Sequence, residues 1–306
     1  MGSYIVRRLW QGILVVLAVT TIVFVVTRLV GNPVDIMLPL SATTEQRAAF
    51  AHQIGLDRPI LEQFGTFVWD AIHLDFGDSL WQRRAAMEVV LERLPNTLLL
   101  LVSGIGTAIV LSLPLGTIAA LRPGGIVDRL IVGLGLLGLS LPQFWVGLML
   151  IITFSVVFGL LPTSGIGTPA HIILPSIAMA LPSLARLSML VRSAMLDELN
   201  KQYIQTARAK GMPLHRIVTV HGFRNILAGF LTMSGWEVIY ALAGFSVVVE
   251  TVFAWPGLGQ TALQAIQRSD LFLLQAIVFC VAILIVLINL ALDIIYKLVD
   301  PRIDLN

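Results

Sequence analysis

The sequence predicts an all-α, polytopic membrane protein with six transmembrane helices, and three observations carry that prediction. Of 306 residues, 57% are hydrophobic and only 12% charged, with a mean hydropathy of +0.89; soluble domains carry about 25% charged residues. Runs without Asp, Glu, Lys or Arg recur at or beyond the roughly 20 residues that cross a bilayer as a helix. Lysine and arginine gather in alternate connecting segments, as they do in multi-pass proteins.

The first span is Leu9 to Thr27, flanked by Arg7, Arg8 and Arg28. It exceeds the ~7–15 apolar residues of a signal-peptide core, and no small-x-small cleavage site precedes Gly31-Asn32-Pro33. A retained span is therefore expected, making 1–30 an N-terminal segment with the first helix. Residues 31–93 form an extracytoplasmic loop. Within it Pro59 suits a first helical turn, and Ile60, Phe64, Phe67, Ala71 and Leu74 recur at helical spacing. An amphipathic helix on the outer surface follows, either capping the bundle or docking an external partner.

Leu94 to Leu121 is the second span. The uncharged stretch Leu130 to Ala185 is too long for one helix and is broken by the turn-forming residues 161–169. It yields span three (about 130–160) and the first half of span four (about 172–196). Span five covers about 226–249 and span six about 272–296, where Asp293 and Lys297 lie one helical turn apart. Pro114, Pro142, Pro175 and Pro182 interrupt spans two to four and favour kinks.

With the N-terminus inside, the inner segments hold Arg7, Arg8, Arg122, Arg129, Lys201, Arg208, Lys210, Arg216, Arg224, Lys297 and Arg302, while the short outer loops hold only Arg268. Both termini are accordingly expected in the cytoplasm. The five-helix core is 94–299, its cytoplasmic loop is 197–225, and 300–306 is a tail.

Composition also sets exclusions. A net charge of +2 gives no basis for nucleic-acid binding. The single cysteine, Cys280, makes neither an internal disulfide nor a multi-cysteine metal site, and the five histidines are scattered, so no metal site is expected. There is no G-x-x-x-x-G-K-[ST] phosphate loop and no H-E-x-x-H helix. Ser164 lies in an outer loop without a positioned histidine, which disfavours a membrane serine hydrolase.

The loop 197–225 is the most informative segment. Tyr203 to Lys210 suits a short helix, Gly211 suits its left-handed stop, and Pro213 begins a second helical stretch. Small residues (Ala207, Ala209, Gly211) permit close approach by another protein, and the basic ones attract acidic groups. A positive anchor at the lipid headgroups explains the spacing equally well.

Tyr203-Ile204-Gln205-Thr206-Ala207-Arg208-Ala209-Lys210-Gly211 resembles the EAA loop of ABC importer permeases, in the version found in the dipeptide/oligopeptide/nickel family. The resemblance runs through nearly the whole chain. Its further motifs are Arg7-Arg8-Leu9, Gly55-Leu56-Asp57-Arg58-Pro59, Asp75-Phe76-Gly77-Asp78-Ser79, Arg93-Leu94-Pro95-Asn96-Thr97, His171-Ile172-Ile173-Leu174-Pro175, Glu250 to Gly259, and Asp300-Pro301-Arg302-Ile303. Ser140, Pro142, Phe144 and Gly147 match span three. The chain departs at Gln205, where the pattern has Glu, and at Ala228-Gly229, where the family has Leu-Pro.

The resemblance implies a type I ABC importer permease fold in the cell inner membrane. It makes 203–211 a coupling helix seated in an ATPase subunit. The chain itself would bind no cofactor, with ATP and Mg on two partner ATPase subunits. A second homologous permease would complete the pathway, and an extracytoplasmic solute-binding protein would deliver the substrate. Peptides are the expected solute, with nickel chelates, glutathione or haem as alternatives. A channel or secondary transporter working without ATP is the rival of another class, and it has no use for a coupling helix.

Charges inside spans face the protein interior or an aqueous path. Arg186 and Glu237 are candidates for the translocation pathway, either as a mutual ion pair or with Glu237 as a carboxylate favouring cationic solutes. Arg192 is expected to snorkel to the inner surface. Glu250, Trp255 and Pro256 belong to a turn-rich outer re-entry that is mainly structural and a candidate external gate, with Trp255 at the membrane interface.

Overall fold

The computed structural model describes residues 2–29, 34, 38, 41–53 and 55–299. The tail 300–306, with Arg302 and the closing motif, lies outside the described residues. The helices are α1 (Gly2–Leu29), α2 (Thr44–Gln53), α3 (Ile60–Ile72), α4 (Ala86–Leu121), α5 (Ile126–Ser140), α6 (Gln143–Leu150), α7 (Ile173–Leu199), α8 (Gln202–Ala209), α9 (Leu214–Arg216), α10 (Phe223–Tyr240), α11 (Ser246–Val252), α12 (Leu258–Gln267) and α13 (Leu271–Val299). Among the described residues, five continuous helical stretches are long and apolar enough to span a membrane, and α5 with the bent continuation Gln143–Val157 makes a sixth when the pair is taken as one span.

That third span is interrupted at Pro142 as expected, and far more sharply than a kink. Its two halves meet at 107°. Leu141 is extended and Pro142 (φ −60, ψ 133) opens α6, so the chain turns where the proline ring forbids continuation of α5. Pro114 and Pro182, by contrast, sit inside helices that run on past them. Span five breaks at Gly244 (φ 159, ψ −18), within a π-helical turn that joins α10 to α11.

The chain divides into two compact units. The first contains Met1–Pro95 and Gly257–Leu287. Here α3 forms as its apolar spacing requires, with Pro59 as N-cap rather than first helical residue. It lays Phe64 and Phe67 against Phe24 of α1, with ring centroids 5.2 and 5.5 Å apart. Ala71, Phe76, Val89, Val90, Leu273 and Ile277 are buried together. Buried Asp270 caps α13 through Leu273 N (3.2 Å) and accepts Ser79 Oγ (2.6 Å) and Trp81 N (3.2 Å). One carboxylate thus pins the turn before α4 to the start of span six.

The second unit contains Asn96–Pro256 and Ile288–Asn306. Small residues let its helices approach closely. A Cβ at Gly116 of α4 would stand 2.5 Å from Ser188 O of α7. One at Gly104 would stand 2.9 Å from Met179 Cβ. Leu187, Val191, Met195, Ile204, Ile217, Ile226 and Phe230 form one buried cluster. It joins α7, the loop helix α8 and α10 into a continuous core.

Candidate functional site

The loop after span four is built as a joint. Lys201 is extended (φ −68, ψ 147), which turns the chain sharply out of α7 and into α8. Helix α8 ends as Gly211 predicts. Its φ is +78; its N–H donates to Arg208 O at 2.9 Å, and Met212 N donates to Ala207 O at 3.1 Å. That pair of bonds is a Schellman stop. No atom lies within 4 Å of a Cβ placed on Gly211, so the backbone conformation, not space, selects glycine.

Of α8, only Ile204 is buried, at 0% exposure, and Ala207 is half-buried. Tyr203, Gln205, Thr206, Arg208, Ala209, Lys210 and Gly211 are exposed. The helix therefore has one apolar anchor and an outward face of polar and small residues.

Glu198, in the last turn of α7, holds this helix in place. Its buried carboxylate accepts Lys201 Nζ (2.7 Å), the Tyr203 hydroxyl in a short contact, and Asn225 Nδ2 (2.7 Å). Asn225, in the first turn of α10, also donates to the Tyr203 hydroxyl at 2.8 Å. Spans four and five and helix α8 converge on one carboxylate. Burial, and then the adjoining Glu198 carboxylate, push the Tyr203 phenol up to about 12. The sequence assigned no role to Glu198 or Asn225; the available signal was the acidic pair Asp197-Glu198 at the start of an otherwise basic inner loop.

Arg192 does not reach the surface alone. Its Nη2 donates to Asp128 Oδ2 at 2.8 Å and its Nε donates to Oδ1 in a shorter bond. Asp128 is buried in the first turn of α5 and also accepts Gly124 N at 2.8 Å. The pair ties α7 to the turn between spans two and three. Snorkelling was expected because nothing in the sequence places an acceptor 64 residues away beside Arg192.

Arg186 and Glu237 do meet. Arg186 Nε donates to Oε1 at 2.6 Å and Nη2 to Oε2 at 2.7 Å, and Ser183 Oγ adds a bond of 2.6 Å to Oε2. Glu237 is 2% exposed, whereas the Arg186 side chain is 32% exposed.

The turn after α11 is locked from within. Buried Glu250 accepts Thr97 Oγ1 at 2.8 Å. Trp255 is 1% exposed and donates Nε1–H to Asn96 O at 2.9 Å, while Asn96 Nδ2 donates to Pro256 O at 2.8 Å. Trp255 is thus a core residue, not an interfacial one. Its indole has a partner inside the protein, so the wet membrane boundary offers it nothing further.

Residues 112–305 match the family described as binding-protein-dependent transport system inner membrane component. The oligopeptide transport system permease protein AppB of Bacillus subtilis (strain 168) is 36% identical, over 99% of this chain and 100% of that protein. The dipeptide transport system permease protein DppB of Escherichia coli (strain K12) is 35% identical, over 99% of both. The fold is shared with a chain of the MetNI methionine ABC transporter solved in inward-facing conformations (CY5 native crystal form). That likeness has a TM-score of 0.58 at 23% identity and covers 70% of this chain and 97% of that one. A full-length likeness to transport permeases, a shared fold and a set of helices able to cross a bilayer lead to one assignment: the chain belongs to the family of binding-protein-dependent transport system inner membrane components and is a multi-pass protein of the inner membrane.

Proposed function

We propose that this chain is the permease subunit of an ATP-driven peptide importer, moved by separate ATPase subunits that dock on α8. The observation that carries the reading is the Glu198 joint. A helix that had only to cover the headgroups needs no buried carboxylate tying it to two spans. A helix that transmits force does, because a pliable link would absorb the motion instead of passing it on. The exposed residues from Tyr203 to Gly211, with small side chains at Ala207 and Ala209, form the ATPase contact, and Ile204 anchors it from below.

The positive-inside distribution puts α8 and both termini in the cytoplasm. ATP and Mg are then held by the ATPase partners, and this chain binds no cofactor. A second homologous permease supplies the other wall of the pathway, and Arg186 and Glu237 belong to this chain's wall. An extracytoplasmic solute-binding protein delivers substrate on the side of Glu250, Trp255 and Pro256, a turn that is mainly structural and borders the outer gate. Peptide is favoured as solute because AppB and DppB, alike to this chain from end to end, are named as oligopeptide and dipeptide permeases.

The test substitutes Ala209→Trp in the complete complex reconstituted in vesicles. Ala209 is exposed, so the ring projects outward and leaves the chain's own core intact. Loss of ATPase co-purification and of ATP-dependent dialanine uptake is expected, with the permease still folded. Uptake at the wild-type rate would show that nothing docks there.

A further inference from the structure

Near the middle of the 27-residue α7, Arg186 presents the one charged group of its cluster that is not enclosed. Glu237 is fully engaged: Oε1 takes Arg186 Nε, and Oε2 takes Nη2 and Ser183 Oγ. It is 2% exposed, so its charge is spent on Arg186 and Ser183 rather than presented to a passing cation. Arg186 Nη1, by contrast, makes no hydrogen bond among the described residues, although the side chain is 32% exposed. The guanidinium carbon lies 5.9 Å from the ring centroid of Tyr240, which is itself 47% exposed.

A charged side chain one third exposed at mid-span is strongly disfavoured against hydrocarbon, and an aqueous path accounts for that exposure. Two of its donors fix it rigidly against a buried carboxylate, and the remaining edge keeps the planar N–H geometry that matches a second carboxylate. Glu237 cancels most of the charge seen from a distance, so recognition is short-range and weak enough for the solute to leave again.

We propose that Arg186 is the contact for the solute's carboxylate, with Glu237 and Ser183 as its positioning residues. The inference rests on the peptide-importer reading above and names the end of the peptide that this chain takes hold of.

The test uses the complete complex in vesicles, with dialanine and its C-terminal amide as probes. The acid-to-amide ratio of uptake rates is compared among wild type, Glu237→Gln and Arg186→Gln/Glu237→Gln. The double substitution removes the cation without stranding a buried anion. It is expected to lower the ratio by about tenfold, the loss of one charge-assisted hydrogen bond felt by only one probe. Glu237→Gln alone keeps the guanidinium and is expected to hold or raise the ratio. An unchanged ratio in the double variant overturns the inference, as does an equal fall in both single and double variants. Loss of the second permease on purification of the double variant also overturns it, since the free edge would then be a subunit contact. A wild type that moves neither probe instead overturns the peptide reading, and the inference with it.

Discussion

Span five has a buried glutamate interaction at each end, and the two are built to different purposes. At one end Asn225 joins Glu198, Lys201 and Tyr203, and the helix they hold turns a polar, small-residue face outward. At the other, Glu250 and Trp255 are enclosed with Asn96, Thr97 and Pro256, and their polar groups are satisfied inside the protein. The first is a joint with an exposed working surface. The second is a lock with none. On the proposed function, the difference marks where the chain is pushed and where it holds.

The sharpest way to break this contrast is Glu198→Ala. It leaves Lys201, Tyr203 and Asn225 without their common acceptor and should cost about 3 kcal/mol locally, the scale of buried charge-assisted bonds lost together. Hydrogen exchange should quicken across 199–222 and stay slow in α11 and α13. Exchange rising equally throughout would mean that Glu198 supports the whole fold rather than a joint.

Trp255→Phe addresses the lock. It keeps an aromatic ring in place but removes the bond to Asn96 O and leaves a small cavity, together about 2–3 kcal/mol. Thermal stability should fall, while hydrolysis of ATP per peptide moved stays as in wild type. Gly211→Ala tests the stop of α8. With open space around it, only the left-handed backbone resists the new side chain, at about 1 kcal/mol. The effect should appear as faster exchange at Met212 and Lys210 and nowhere in 250–256.

The smallest expected effect is on pH. The Tyr203 phenol is raised to about 12 in the folded chain, above the ~10 of an unfolded tyrosine. The folded state therefore holds the proton longer, and its contribution is complete below pH ~10 and lost as pH rises through the folded value. Tyrosinate absorbance, as the difference between wild type and Tyr203→Phe, should show a late titration, and protection of the joint, after correction for the base-catalysed intrinsic exchange rate, should not change between pH 6 and about 9.

Much of this was legible in the sequence, and what was missed has a common cause. Helix α8, its glycine stop and the proline-led stretch after it follow from local backbone preferences. The Arg186–Glu237 pair was foreseeable because two opposite charges inside apolar spans have few other ways to be satisfied. The Asp128–Arg192 pair and the Glu198 joint were not, because they depend on how helices cross, and spacing reports only neighbours along one helix. Pro142 was expected to interrupt span three, but the 107° of the turn was not, for a related reason. Counting apolar residues gives a span's length and says nothing of its direction. Trp255 was misplaced because an interfacial preference describes tryptophans whose indole lacks an internal partner, and this one has Asn96.

The most direct measurement of force transmission is the number of dialanine molecules moved per ATP hydrolysed by the reconstituted complex carrying Glu198→Ala. A loosened joint should leave hydrolysis running while uptake falls, lowering the ratio by about tenfold or more, as when a step loses an interaction that serves it alone. Uptake and hydrolysis retained in wild-type proportion would contradict the claim that α8 works as a rigid extension of spans four and five.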